Sequence, residues 1–498
     1  MAVYVALDAG TGGGKCVVFD ETGRVLGVQR EPWSYELGSN PDLPFVQEVS
    51  FNAAQFWDAL CRCTRGALAK AGVAPAEVIG VAATSQREGC VFLDAHGDEI
   101  YAGPNLDARG FREGMEILER IGGERLYQIT GHSAPFIFPI ARYLWFRKHR
   151  PEPVCQVLMI SDWLTYRLSG ELASEPSNAT ESMLFDLKRR CWSGELLAAF
   201  DIPAAVLPPI RRSGEPVGKL TASAARATGL QAGTPVCVGG ADTQCSLLGA
   251  GVIDPHETAA TLGTTTPVQT VVDSAVFDPR SHLWAGCHVL PDRWVLESNA
   301  GDTGDAYLWL LDLIGAGLPR DDLYRLGEKL AAERFGPPTM MFVGPTIFNL
   351  MQMNFQRPGG ILFPFPGLHM RPDRGTLVRA FMESVGYALR ANVEQLTRLT
   401  GRPVQQLTLS GGMSRSAVLV RIMADIMGVT VRVAKEPESA ALGCAMLMAA
   451  NGQGMPAAVS TMSRHVRVEP DPAQHDKYRG PFANWCELHN QLGNTSLA

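Results

Sequence analysis

The residues with most chemistry to offer stand where apolar runs break at glycine. Asp242 follows the run at 235–238 and the pair Gly239-Gly240, and 244–248 then reads as the start of a helix. A carboxylate at the end of a buried strand faces the open edge of an α/β sheet, which makes Asp242 a candidate general base. The alternative is an N-cap that accepts hydrogen bonds from the first N–H groups of the helix. A second glycine turn opens the chain. Alternation in VYVALDAGTGGGKCVVFDETGRVLGV predicts a strand ending at Asp8, a turn at 9–14, a strand at 15–20 and a third strand after Glu21-Thr22-Gly23. Glycines at 10, 12, 13 and 14 let backbone N–H groups approach an anion, while Asp8 brings a metal-seeking and Lys15 a phosphate-seeking charge. Thr11, Gly12, Gly13 and Lys15 are therefore a candidate phosphate cradle, with a plain glycine-rich hairpin as the alternative. The glycines lie between two strands and GxxxxGK[ST] is absent, which excludes both a Walker loop and a dinucleotide-binding βαβ unit.

These turns need elements to aim them, and the chain repeats its own pattern. Residues 257–272, ETAATLGTTTPVQTVV, again read strand, turn, strand, with Gly263-Thr264-Thr265 where the first hairpin has Gly10-Thr11-Gly12. Such a repeat predicts two similar domains, each giving one phosphate hairpin to a cleft. Residues 407–431 read as a strand, the pair Gly411-Gly412 that admits a flat ligand to the backbone, and a helix from about Ser414 with Leu419, Ile422, Met423, Ile426 and Met427 on one face. The run VIGVAATSQREGCVFLD sets Arg87 and Glu88 at a strand end among apolar neighbours, an unusual place for charge unless the break is a solvated turn. In GPNLDARG, Asp107 reads either as a hydroxyl ligand or as half of a plain salt bridge with Arg109.

In this order, the DxGT hairpin, the strand-GG-x-D segment, the LGTT hairpin and the strand-SGG-helix segment resemble the FGGY carbohydrate kinases of the actin, Hsp70 and hexokinase superfamily, over nearly the whole chain. The resemblance implies an α/β fold of two ribonuclease-H-like (actin-like ATPase) domains with a central cleft. Residues 1–250 would hold the sugar and the first phosphate loop, and 251–498 the second phosphate loop and the adenosine site. It implies ATP and Mg2+ as partners in the reaction, Asp242 as base, and Asp8 and Asp242 holding the metal largely through water. Thr11, Gly12, Gly13, Lys15, Gly263, Thr264 and Thr265 would receive phosphates, and Gly411 and Gly412 adenosine. Arg87 and Glu88 belong to a Gln-Arg-Glu tripeptide of the kind that holds substrate hydroxyls in glycerol kinases, where xylulokinases usually have Met-His-Gly. Asp107, Phe136 and Gln244 complete the implied sugar contacts. Phe136 lies in a segment, 130–152, similar to the first family signature, with Arg142 where a lysine is usual. Two departures stand out: three glycines in the first hairpin where Thr or Ser is common, and Gly, Thr and acidic residues at 301–305. Across its specificity stretches the sequence is most similar to the autoinducer-2 kinase branch, whose substrate is a linear five-carbon dihydroxy-dione. A pentulose such as D-xylulose is next and glycerol third. A reading of another class, a sugar-independent actin-like ATPase, is opposed by the Arg87-Glu88 pair.

At 498 residues the chain suits two domains of roughly 240 residues each. With 46% apolar and 19% charged residues it is globular in composition. No apolar run reaches the roughly 18 residues that span a bilayer, and MAVYVALDAG enters a strand without a basic region or cleavage site, so a soluble cytoplasmic protein is expected. A net charge of −7 argues against non-specific nucleic-acid or membrane partners and leaves a local anion site for a small-molecule sugar and nucleotide. Eleven cysteines without CxxC and ten histidines without HExxH predict neither a disulfide framework nor a zinc site. The Met- and Phe-rich stretch 332–374 reads as a lid, as the contact of a homodimer, or as packing under a long loop.

Overall fold

Alternation in the first strand is obeyed by the burial pattern. Val3, Val5 and Leu7 pack on one face of a sheet and Tyr4 and Ala6 on the other, as a period of two requires. The computed structural model describes residues 2–39, 43, 46–280, 282–332, 338–349, 358–364 and 371–495. In the first sheet the strands run in the order Pro216–Lys219, Pro235–Ala241, Val78–Ser85, Val3–Ala9, Gly13–Asp20 and Val25–Pro32. Val3–Ala9, Gly13–Asp20 and Val25–Pro32 form an antiparallel meander, whereas Val78–Ser85 lies parallel to both Val3–Ala9 and Pro235–Ala241. Ala9 pairs with Ser85, and Ser85 with Ala241, so the three parallel strands end together. Whatever follows them meets at one edge, the place where α/β sheets bind ligands.

Both faces of this sheet are covered. Phe56, Leu60 and Ala67 of the helix Ala53–Ala71 and Leu164 and Leu168 of the helix Ile160–Ser169 join the core on one side. The helix Ser439–Gln453 covers the other with Ala441, Leu442, Ala445 and Met446. By internal contacts the chain divides into two units. The first takes Met1–Ile253, Val272–Val295 and Glu438–Ser463, and the second Asp254–Val271, Leu296–Pro437 and Arg464–Ala498. The first unit also carries a small sheet, Glu99–Gly103, Cys90–Leu93 and Gln156–Met159, over a core of Phe92, Tyr101, Phe138 and Phe146.

The predicted repeat is present. In the second unit Trp294–Asp302, Thr265–Val272, Thr258–Thr261, Gln406–Ser410, Thr430–Ala434 and His465–Val468 run side by side in that order. Thr258–Thr261 is antiparallel to Thr265–Val272 and parallel to Gln406–Ser410, which is parallel to Thr430–Ala434; His465–Val468 closes the edge antiparallel. This is the pattern of the first sheet again. The helix Arg374–Thr400 starts where Asp373 caps the N–H of Thr376 at 2.8 Å. The helix expected from Ser414 begins instead at Ala417, after a 3-10 turn Gly412–Arg415, with Ser416 as its cap. Of the stretch 332–374, residues 333–337, 350–357 and 365–370 lie outside the described residues. No helix among the described residues is long and apolar enough to cross a membrane.

Candidate functional site

Asp242 sits in the first turn of the helix Asp242–Gly249, one residue past the strand Pro235–Ala241. The cap position is Ala241, so Asp242 does not serve as the N-cap; its Oδ1 accepts the adjacent N–H of Thr243, at 2.7 Å. The turn that aims it depends on glycine. A Cβ on Gly239 would stand 1.8 Å from the carbonyl of Ala83, and the register slips between Cys237 and Gly240 as in a β-bulge. Thr84 Oγ1 donates to Gly240 O at 2.8 Å, and the N–H of Ala241 donates to Ser177 Oγ at 3.0 Å. Ser177 in turn donates to the buried Glu175 at 2.5 Å. Burial pushes the Asp242 carboxyl up to about 7; Asp8 and Glu88 add to the rise, and Arg87 opposes it. Gln244, one helical step on, is buried, with Thr243 Oγ1 donating to its Oε1 at 2.6 Å.

Asp8 stands next to last in the strand Val3–Ala9, which Val78–Ser85 separates from Pro235–Ala241, and its cross-strand partner is Lys15. The Lys15 Nζ lies 2.9 Å from Asp8 Oδ2 and 2.9 Å from Glu438 Oε2. Burial opposes its charge, but the two carboxylates hold the ammonium above the usual lysine range. The hairpin tip is pinned from behind: Thr11 O accepts from Trp33 Nε1 at 3.2 Å and from Tyr35 OH at 2.5 Å, and Gly10 O from Gln86 Nε2 at 3.4 Å. Two of its glycines are also required by packing. A Cβ on Gly13 would stand 2.6 Å from Glu31 O, and one on Gly14 2.7 Å from the Trp33 ring. At Gly12 the space is open.

Arg87 and Glu88 follow the third parallel strand. Arg87 lies 3.6 Å from the fully buried Glu181 and 4.0 Å from Glu88, with its guanidinium over the Trp284 ring. Glu88 has φ of 57°, a left-handed backbone that costs a non-glycine residue roughly 1–3 kcal/mol. The fully buried Arg142 holds that bend, donating to the carbonyls of Glu88, of Gly103 at 3.2 Å and of Pro104 at 2.9 Å. His132 packs on Trp284 with its Nε2 3.7 Å from Glu181. Burial, with Arg87, lowers its pKa to about 3, so the imidazole is neutral.

Two expected sugar contacts are placed otherwise. Asp107 is fully buried and its oxygens are engaged by the N–H of Val49 at 2.9 Å, Arg109 Nε at 2.6 Å and the Tyr101 hydroxyl. It is the salt bridge that the sequence left open, and it fixes the fold. Phe136 stacks on Phe111 with centroids 4.7 Å apart; the phenylalanine packed on His132 is Phe138. Sequence reasoning missed Glu181, His132, Trp284 and Glu438 as neighbours of the charged edge. The one available signal was their charge or size within otherwise small-residue or apolar segments.

In the second unit Gly263, Thr264 and Thr265 form the expected hairpin turn. The Thr264 carbonyl accepts from the N–H groups of Thr303, at 3.0 Å, and Gly304, at 2.9 Å, so the tip sits on the start of the helix Gly304–Ile314. A Cβ on Gly304 would stand 2.2 Å from Gly263 O, which accounts for the glycine at 304. Gly411, at φ 88°, lies against Leu262, whose carbonyl would be 2.6 Å from an added Cβ. Beside Gly412, a cavity of about 260 Å³ is lined by Ser414, Arg415, Val433, Ala434, Lys435, Pro437 and Val466.

Residues 3–249 match the N-terminal domain, and 258–451 the C-terminal domain, of the FGGY family of carbohydrate kinases. Over 515 aligned residues, covering 98% of this chain and 94% of the relative, the sequence is 34% identical to autoinducer-2 kinase of Escherichia coli strain K12. Xylulose kinase of Rhodospirillum rubrum is 25% identical with a TM-score of 0.83, over 98% of this chain and 99% of that one. Ligand-bound xylulose kinase of Lactobacillus acidophilus, 18% identical with a TM-score of 0.85 over 100% and 99%, bears on the fold alone.

Proposed function

We infer the chemistry from one premise: this chain belongs to the FGGY family of carbohydrate kinases and is a phosphotransferase with an alcohol group as acceptor. Its acceptor is a small linear sugar, and the reading best supported is the five-carbon dihydroxy-dione that precedes autoinducer-2. The observation that carries it is the Arg87-Glu88 pair, with the Arg87 guanidinium over Trp284 and both charges acting on Asp242. The donors of Arg87 suit the carbonyl oxygens of a dione, and Glu88 suits its hydroxyls. The extent of the likeness to autoinducer-2 kinase supports the same choice. D-xylulose is the second reading, favoured by the likeness to the Rhodospirillum xylulose kinase. Glycerol is third, favoured by the Gln-Arg-Glu tripeptide at 86–88, and a sugar-independent ATPase has no specific observation in its favour.

Asp242 accepts the proton of the attacking hydroxyl as the oxygen bonds to the γ-phosphorus of ATP and the bond to the β-phosphate oxygen breaks. Lys15 and the N–H groups of Thr11, Gly12 and Gly13 receive phosphate oxygens in the first half of the chain. Thr264 and Thr265 do so in the second half, where Gly411 and Gly412 face adenosine. Among the described residues no three His, Cys, Asp or Glu side chains gather as a metal cage. Asp8 and Asp242 offer two carboxylates, a set that suits a Mg2+ ion retaining its waters and phosphate ligands. Bound there, the ion would neutralise charge on the transferring phosphoryl group.

The test is ADP release from Mg-ATP against a panel of the autoinducer-2 precursor, D-xylulose, D-ribulose, L-ribulose, L-fuculose, erythrulose and glycerol, with Asp242→Asn as control. Turnover on the dione that is lost in the variant is expected. Preference for D-xylulose would shift the reading to its second form, and acceptor-independent hydrolysis that survives Asp242→Asn would overturn it.

A further inference from the structure

Four charged groups form a chain of ion pairs at the first hairpin, Asp8 to Lys15 to Glu438 to Arg30, and Glu438 comes from a distant segment of the sequence. Lys15 stands across from Asp8 on one side and from Arg30 on the other in the meander. Glu438, the first residue of the last segment of the first unit, places Oε2 2.9 Å from Lys15 Nζ and pairs through Oε1 with Arg30. The Asp8 and Glu438 side chains are 6% and 7% exposed, Lys15 26% and Arg30 59%, so solvent reaches the cations and not the anions. Two carboxylates and two cations balance. An arriving phosphate must compete with both carboxylates for the lysine, and Arg30 is already in place to hold Glu438 when it loses that partner.

We propose that Glu438 is a positioning residue that parks Lys15 between two carboxylates until a nucleotide phosphate displaces Glu438 from it, Arg30 keeping the released carboxylate compensated. The inference rests on the reading of Lys15 as a phosphate ligand. It gives the helix Ser439–Gln453, which begins at this carboxylate, a direct link to the occupancy of the first phosphate loop.

Calorimetric binding of MgADP tests it without any acceptor sugar. In Glu438→Gln the anion meets one competing carboxylate fewer, so the Kd for MgADP falls roughly 3- to 10-fold. With acceptor present, kcat falls by a similar factor because Lys15 has lost an anchor. Arg30→Gln, at an exposed position, leaves Glu438 fully committed to Lys15 and raises Kd, while Glu438→Asp stays close to the wild-type chain. In a Lys15→Met background the effect of Glu438→Gln shrinks to less than about twofold, because the coupling runs through the lysine. Unchanged or weaker MgADP binding in Glu438→Gln would overturn the proposal, and so would a gain that persists without Lys15, which marks a bulk charge effect. Should Glu438→Gln fail to fold, an unchanged Kd in Arg30→Gln has the same force. A wild-type chain that binds no MgADP removes the kinase reading and this inference together, whereas normal binding with no response to the variants removes this inference alone.

Discussion

Burial together with Asp8 and Glu88 keeps the Asp242 carboxyl at about 7, so its capacity to take a proton changes within the working range of pH. The carboxylate is the active form. The kcat/KM for the acceptor should therefore rise with pH through about 7 and level above it, and Asp242→Asn should lower kcat by about 10²- to 10⁴-fold while MgADP still binds. The stability effect has the opposite direction. A carboxyl raised from 3.8 favours the folded chain while protonated, a contribution complete below the unfolded value and lost as pH rises through about 7. Asp242→Asn removes that loss, so at pH 8 the variant should melt higher than the wild type, by ~1–2 kcal/mol after discounting for the partial exposure of the group, and at pH 4 the two should coincide. Melting curves at both values check it; a variant less stable at pH 8 would mean the carboxylate is satisfied there. Glu88 adds a second separation of stability from function. Its left-handed backbone suits glycine, so Glu88→Gly should leave Tm unchanged or raise it by up to about 1 kcal/mol in stability, while the acceptor KM rises at least ~10-fold.

Between the residues and the sheet stands Arg142, which ties the Glu88 bend to the carbonyls of Gly103 and Pro104. A lysine carries the charge but not the planar fork that serves separate carbonyls. Arg142→Lys should cost about 2–4 kcal/mol in denaturant unfolding and raise the acceptor KM, with MgADP affinity held. Affinity for MgADP lost to the same degree would show that the bend does not report on the sugar alone. Elements of this kind separate what a sequence displays from what it hides. Asp242, Lys15 and the two hairpins were legible because each lies within a few residues of the glycine turn that aims it. Arg87 and Glu88 were legible because charge interrupts two apolar runs. Asp107 stayed open between two readings since nothing local shows that Val49, Tyr101 and Arg109 converge on it. Gly13 and Gly14 were read as access for an anion; that packing also requires them shows only once the register of the meander brings Glu31 and Trp33 there and the helix Ala53–Ala71 brings Leu60. Glu181, His132, Trp284 and Glu438 reach the charged edge from distant segments. Topology, not spacing, delivers them.

Topology also governs what the chain does as a whole, because its first unit is not contiguous. A break near residue 250 respects the repeat of hairpins but removes the helix Ser439–Gln453 from the sheet that it covers. Tyr4, Ala6, Val17 and Phe19 share their core with Ala441, Leu442, Ala445, Met446 and Leu447 of that helix. Each large side chain so buried contributes about 1.5–3 kcal/mol, and the loss of several exceeds the roughly 5–15 kcal/mol by which a domain is stable. The contact is also close: a Cβ on Gly443 would stand 2.0 Å from the carbonyl of Cys245, on the helix that carries Asp242. A fragment ending at 250 should therefore lack fixed tertiary structure, seen as lost near-ultraviolet dichroism, rapid proteolysis and binding of a hydrophobic dye. Fusing residues 438–463 to that fragment through a flexible linker should restore part of the protection, most of it in the strands Val3–Ala9 and Gly13–Asp20. A fragment of 1–250 that folds cooperatively alone would show that the returning helix tunes the first unit and is not required to build it.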